Sequence, residues 1–230
     1  MDKIITIYHG SNHIVETPVF GEGRRSNDFG QGFYCTESNN LAKEWAVSSL
    51  SDGFSNRYTL DTEYLNVLNL NGPDYSILNW IAVLVEHRIF SIGTPVARRA
   101  KQYLIDNFGV NVNAFDLIVG YRADDSYFDY AEAFINNGIT VEQLAHAMRL
   151  GKLGEQIVLK SKFAFSKIRF EGYENADKNT YYVLRKARDE EANRTYLKLL
   201  EKESDGLYIQ DIIRGGIRND DPRIPRNISE

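Results

Sequence analysis

A glycine-bearing loop that runs directly into an aromatic strand constrains this chain more than any other stretch. Residues 26–36 read Ser-Asn-Asp-Phe-Gly-Gln-Gly-Phe-Tyr-Cys-Thr. Gly30 and Gly32 permit a positive φ or a close backbone approach, and residues 33–36 have the aromatic and β-branched content of a strand. Side chains alternate along a strand, so Phe33 and Cys35 share one face while Tyr34 and Thr36 share the other. With Phe33 turned to the core, Tyr34 faces a cleft and becomes a candidate stacking platform. An ordinary half-buried strand tyrosine has the same pattern, so a second matching stretch is needed.

A chain of 230 residues with 43% hydrophobic content can bury one sizeable core, and it suits one domain with a helical appendage better than two domains. The net charge of −5 supplies no general electrostatic reason to bind nucleic acid or an anionic membrane. The one cysteine excludes an internal disulfide and a multi-cysteine zinc site, and it is compatible with a reducing cytoplasm. The first residues enter a strand with no basic or apolar leader, and no apolar run approaches the roughly 20 residues of a membrane span. Neither export nor insertion is expected, and the expected location is the cytoplasm.

Along the chain, residues 12–27 are polar and glycine-bearing and read as a loop, with Val19 and Phe20 tucked inward and solvated arginines Arg24 and Arg25 at its end. Ser38 caps a helix that packs Trp45 on the sheet. Short strands are expected over 57–60 and 66–70, then a helix capped by Asp74 and another opened by Pro95. The apolar run 115–120 has strand length and suits burial on both faces. Asp124 and Asp125 lack any further ligand pattern and are expected to cap the next helix, so no metal is expected. Helices follow over 127–136 and, capped by Thr140 after a turn at Gly138, over 141–150. Residues 151–154 release a strand over 155–160. Residues 177–203 read as a long amphipathic helix with Tyr181, Leu184, Ala192, Tyr196 and Leu199 or Leu200 on a stripe and with Glu190 and Arg194 at supporting spacing. That helix either packs on the domain, is covered by the apolar segment 206–217, or binds a partner. Residues 220–230 read as a loose tail.

The matching stretch is at the N-terminus, where a β-branched run over 4–8 delivers His9, Gly10 and Ser11. Tyr8-His9-Gly10-Ser11, followed about twenty residues later by Asp28-Phe29-Gly30-Gln31-Gly32-Phe33-Tyr34-Cys35-Thr36, resembles the His and Tyr motifs of ADP-ribosyltransferases of the diphtheria-toxin and poly(ADP-ribose) polymerase type. More closely, the order of signals from Tyr8 to about Ile168 is similar to a bacterial family catalogued as a domain of unknown function within that superfamily. The resemblance implies an ADP-ribosyltransferase-like α+β domain over 1–170, a split and mostly antiparallel sheet with helices packed around it, and a helical extension over 171–230.

By that resemblance NAD is the substrate: His9 holds a ribose hydroxyl, the Gly10 backbone holds the nicotinamide amide, and Tyr34 stacks on the ring. Ser11, Gly30, Gly32 and Thr36 complete the binding site. The third signature residue is a glutamate or glutamine on the strand 155–160. Glu155 and Gln156 both qualify; alternation lets only one of them face the cleft, and alignment with the bacterial family favours Gln156. The implied activity is cleavage of the nicotinamide–ribose bond with transfer of ADP-ribose to a protein or nucleic-acid acceptor. A bacterial toxin or effector, partnered by an antitoxin or regulatory protein, fits that activity. A silent NAD-binding or protein-interaction module and an NAD glycohydrolase are the alternatives. Other chemistries lack their companions: Asp28-Phe29-Gly30 spells a kinase magnesium motif without the rest of the kinase set, and Cys35 alternates away from Tyr34, against a Cys35–His9 hydrolase.

Overall fold

The computed structural model describes residues 3–123, 125–150, 155–201 and 204–227. The chain runs β1 (Ile4–Ser11), β2 (Phe33–Cys35), α1 (Asn39–Ala46), β3 (Gly53–Asp61), β4 (Val67–Asn69), α2 (Ile77–His87) and α3 (Pro95–Phe108), then β5 (Leu117–Tyr121), α4 (Asp125–Ile135) and α5 (Val141–Leu150). It continues through β6 (Glu155–Leu159), the short α6 (Lys162–Ser166), β7 (Ile168–Ala176), α7 (Lys178–Leu200) and α8 (Ile209–Arg214). The fold is α+β. One sheet has the antiparallel order β1-β3-β7, and the other has the order β2-β6-β5-β4, in which β4–β5 is parallel and the other pairs are antiparallel.

Strand alternation builds two cores from these sheets. Leu117, Val119, Ile157, Leu159 and Cys35 turn toward the first sheet and pack with Ile5, Ile7, Tyr58 and Leu60. On the opposite face Ile118 and Val158, joined by Phe29, Leu68 and Leu70, pack under the helices. β5 is therefore buried on both faces, as its continuous apolar run requires. The helix most enclosed by this second core is α2, with residues 77–85 all buried.

Caps and turns follow the sequence in most places. The Ser38 hydroxyl accepts from the Leu41 N–H at 3.3 Å, and the Thr94 hydroxyl ahead of Pro95 accepts from Ala97 N–H at 3.0 Å. Thr140 and Gln143 form a reciprocal cap on α5, with bonds of 2.9 and 3.2 Å. The helix expected to be capped by Asp74 instead begins after Ser76, whose N–H donates to Asn79 Oδ1 at 2.9 Å. The expected turn over 151–154 and a cap from Asp124 lie outside the described residues.

Several expectations need correction, most because tertiary contact outweighed local signal. Val19 and Phe20, expected to tuck inward, are both exposed, with Phe20 set edge-on against Phe165 at 5.6 Å. β3 starts at Gly53 rather than 57, since its polar N-terminal half is paired on both sides. β7 was not anticipated: its alternation is carried by Ile168 and Phe170 alone, and the residues after Gly172 are exposed up to Ala176, so the apolar signal is too short to announce a strand. Position 170, the expected boundary of the helical extension, lies inside it. On α7 the stripe is incomplete. Ala192 is buried, but Leu184 is 47% exposed, and Arg194 pairs with Glu191 at 2.7 Å rather than with Glu190. α7 packs against α1, α4 and α5, while α8 packs on α3, so the segment 206–217 covers the main core instead. The described part of the tail is docked, not loose. Ile224 is buried, Asn227 Nδ2 donates to the Leu70 carbonyl at 2.7 Å, and Asn227 N–H donates to Tyr75 at 3.0 Å.

The seat of α1 on the first sheet depends on two glycines. A Cβ on Gly10 would lie 1.9 Å from the Ala42 carbonyl oxygen, and one on Gly53 would lie 2.2 Å from that of Ala46. Gly53→Ala is therefore expected to push α1 off the sheet at a cost of about 1–3 kcal/mol. Thermal unfolding should show a clear fall in Tm, whereas Gly93→Ala, at a position with open space around its Cα, should leave it unchanged.

Candidate functional site

Among the described residues the two sheets meet at one bridge. Tyr8 N–H donates to the Thr36 carbonyl at 2.8 Å, and Thr36 N–H donates to the Tyr8 carbonyl at 2.9 Å. Along β1 successive residues direct their backbone groups to opposite edges, so those of His9 point to β3 and those of Gly10 point to the same edge as those of Tyr8. The next carbonyl on the facing strand, that of Tyr34, is taken by the His9 ring, whose Nδ1–H donates to it at 2.7 Å. The sheets part at this point, with His9 held against Phe33 at a centroid distance of 4.4 Å. Burial lowers the His9 pKa, and in the neutral ring the Nδ1–H bond leaves Nε2 as an acceptor.

Beside the split, on the helical face of the second sheet, lies a pocket of about 220 Å³. Tyr34, Trp45 of α1, Asp28, Gln156 and the guanidinium groups of Arg88, Arg122 and Arg185 line it, together with Asn27 and Ala123. Asp28 is 4% exposed; its Oδ2 accepts from Ala123 N–H at 2.9 Å and from Gln156 Nε2 at 3.0 Å, and its Oδ1 lies 3.4 Å from Arg88. Gln156 Oε1, also buried, has no hydrogen-bond partner among the described residues. Arg122 sits 4.5 Å over the Trp45 ring, and Arg88 sits 5.0 Å over that of Phe128. The Tyr34 hydroxyl accepts from Phe29 N–H at 3.0 Å and donates to the Gly30 carbonyl at 2.6 Å, which fixes its ring along the pocket wall. Burial pushes its phenol well above the ordinary value.

The loop that carries Asp28 is held from below. Lys160 Nζ donates to the Phe29 and Gln31 carbonyls, both at 2.7 Å, and its burial lowers the pKa to about 8. Gly30 has φ +74°, in the left-handed region, and packs against His87. Gly32 lies so close to β6 that a Cβ would meet Val158 at 2.6 Å. Both roles allowed to these glycines are thus used, one at each.

Of the residues expected in the site, Tyr34 and Gln156 line the pocket and share a sheet face, with Tyr34 opposite Val158, two residues from Gln156. Glu155 points away and accepts from Asn71 Nδ2 at 2.7 Å. His9 and Gly10 stand at the split, one strand away from the pocket wall. Thr36 is buried in the bridge, with its hydroxyl accepting from Ser38 N–H at 3.2 Å. The Ser11 hydroxyl is engaged with the N–H and carbonyl of His13. Cys35 is buried between the sheets, where burial raises its pKa well above the ordinary value.

Sequence reasoning missed Asp28, Arg88, Arg122 and Arg185, and it placed Trp45 only as a packing residue. The arginines come from three separate parts of the chain, so no spacing joins them. Asp28 offered a signal in standing directly before the glycine loop. Among the described residues no group of three metal-capable side chains occurs, and no helix is long and apolar enough to cross a membrane.

Two outcomes follow from this site. Lys160→Met strands two carbonyls and should cost about 1–3 kcal/mol, read as a lower urea midpoint. At Asp28, burial raises the carboxyl above its unfolded value of about 3.9, and this outweighs the donors from Ala123, Arg88 and Gln156 that pull it down. The folded state then holds the proton more tightly, so the stability from this group is present below the unfolded pKa and lost as pH rises through the folded one. As pH rises from about 4 through the folded-state titration of Asp28, the melting temperature of Asp28→Asn should therefore rise relative to wild type.

No curated protein and no solved structure matches the chain. Residues 5–170, from inside β1 to inside β7, match the model of the family described as "Protein of unknown function (DUF3990)". That match takes in both strands at the split, the Asp28 loop and Gln156, and by it the chain belongs to the DUF3990 family.

Proposed function

We propose that this chain is an NAD-dependent ADP-ribosyltransferase that cleaves the nicotinamide–ribose bond and passes ADP-ribose to a macromolecular acceptor. The observation that carries the reading is the pocket in which two aromatic rings, Tyr34 and Trp45, stand with the buried amide of Gln156 and three guanidinium groups. A planar cationic ring suits the aromatic walls, a ribose hydroxyl suits the unpartnered amide oxygen, and a pyrophosphate suits arginine. The sheets that part beyond a single bridge support an ADP-ribosyltransferase-like split sheet. Pockets for whole small-molecule ligands commonly run to about 300–1,000 Å³, so a dinucleotide would extend from this one along the split toward Gly10 and His9.

The chemistry asked of these residues is modest. Nicotinamide leaves readily because it is already cationic, so the protein must orient the ribose and stabilise the cationic carbon that forms. In this reading His9 accepts from a ribose hydroxyl through Nε2, the Gly10 backbone holds the carboxamide, and Tyr34 stacks on the ring. Gln156 offers a carbonyl dipole where glutamate would offer a full charge. That substitution favours a second reading, an NAD-binding or protein-interaction module without turnover; with water as acceptor, the enzyme would be an NAD glycohydrolase. A role as a bacterial toxin or effector with an antitoxin or regulatory partner belongs with the transferase reading, as does action in the cytoplasm.

Incubation with NAD labelled on the adenylate, alone and with cell lysate, tests the assignment. Release of nicotinamide with label on protein or nucleic acid is the expected result. Free ADP-ribose alone selects the glycohydrolase, saturable binding without turnover selects the silent module, and no binding sinks all three. In calorimetric titration, Tyr34→Ala and Trp45→Ala should each weaken NAD binding by on the order of 1 kcal/mol, and a folded Tyr34→Ala variant with unchanged affinity would remove the stacking role.

A further inference from the structure

Among the described residues one buried carboxylate lines the pocket, and its hydrogen bonds dictate which way the neighbouring amide turns. Among the described residues Asp28 is faced by Gln156 from β6, the Ala123 N–H and Arg122 after β5, Arg88 at the end of α2 and Tyr34 from β2, with Arg185 of α7 on the same pocket. Its hydrogen-bond partners, Ala123 N–H and Gln156 Nε2, are donors, as is the Arg88 guanidinium in its ion pair. The Tyr34 hydroxyl is committed to Phe29 and Gly30. An ionised Asp28 can accept only the NH₂ end of Gln156, a residue of the pocket lining, so Oε1 is left buried without a partner among the described residues. Leaving such an acceptor unmade is costly unless a ligand completes it.

Building on the NAD assignment, we propose that Asp28 is a positioning residue: its carboxylate locks the Gln156 amide with its carbonyl oxygen toward the ligand. The site thereby selects a group that donates a hydrogen bond or develops positive charge, as a ribose hydroxyl and the carbon losing nicotinamide both do. The negative charge stands one hydrogen bond behind the ligand-facing atom, where it reinforces the amide dipole without itself contacting substrate. A neutral side chain at position 28 offers both a donor and an acceptor, so the amide loses its fixed orientation. The site should accordingly gain affinity as pH rises through the Asp28 titration, the direction opposite to that of the group's contribution to stability.

The test uses the full chain labelled with ¹⁵N. The Gln156 side-chain amide, assigned by its loss in Gln156→Ala, should titrate with pH in wild type and stop doing so in Asp28→Asn. NAD affinity should fall about tenfold in Asp28→Asn, which frees the amide, and in Gln156→Glu, which sets two carboxylates against each other. The exchanged pair Asp28→Asn with Gln156→Glu keeps the hydrogen bond and the total charge, so it should bind NAD better than either single variant. An amide resonance indifferent to pH, or a folded double variant no better than the weaker single one, overturns the proposal. Should the variants fail to fold, the wild-type titration decides alone. A wild-type protein whose amide titrates but which shows no affinity for NAD sustains the Asp28–Gln156 lock and removes the NAD reading instead.

Discussion

Two backbone hydrogen bonds between Tyr8 and Thr36 join the sheets of this protein, and the shape of the candidate site depends on where they stop. Had pairing continued, Gly10 would have met the Tyr34 carbonyl and the two sheets would have closed into one surface. The His9 ring takes that carbonyl instead. The backbone edge of Gly10 is turned toward the opening, and Tyr34 stands on the far side of it. Because α1 rests directly on Gly10 and Gly53, the same glycines that seat the helix also bring Trp45 to the pocket wall.

Holding a carboxylate inside such a wall requires a rigid surround, since burial of a charge is tolerated only where hydrogen bonds and counter-charges are held in position. The Asp28 loop meets that requirement from several directions. Lys160 grips two of its carbonyls, Gly30 makes the left-handed turn, Gln31 Nε2 donates to the Gly23 carbonyl at 3.0 Å, and Gly32 lies flat on β6. Removal of any one contact loosens the support of Asp28 and therefore the orientation of Gln156. The loop sequence thus reads as a scaffold for the carboxylate as much as a lead into the strand.

The C-terminal part completes this arrangement. Arg188 of α7 pairs with the buried Glu44 of α1 at 2.8 Å, which ties the long helix to the element that carries Trp45, while Arg185, one turn earlier on α7, reaches the pocket. β7 widens the first sheet, and residues 224–227 seal the connection between β4 and α2. The residues beyond the family match thus supply part of the pocket wall.

Periodicity and turn chemistry alone carried much of the fold. The alternation of Phe33, Tyr34 and Cys35, the doubly buried β5, the caps at Ser38 and Thr140, the helix opened by Pro95, and the choice between Glu155 and Gln156 as one of face all depend on neighbours close in sequence. Local signals of that kind are written into a short stretch and survive without knowledge of the rest. The pocket is different. Asp28, Trp45, Arg88, Arg122 and Arg185 converge from the loop before β2, from α1, from the ends of α2 and β5, and from α7, and nothing in their spacing announces it. β7 and the docked tail were hidden for the same reason, since their partners lie far away along the chain. The sequence by itself determined which faces each strand could offer and where the chain could turn. Only the tertiary structure decided that Gln156, and not Glu155, meets Asp28, because register and side-chain convergence are set by contacts between distant segments rather than by the preferences of any one of them.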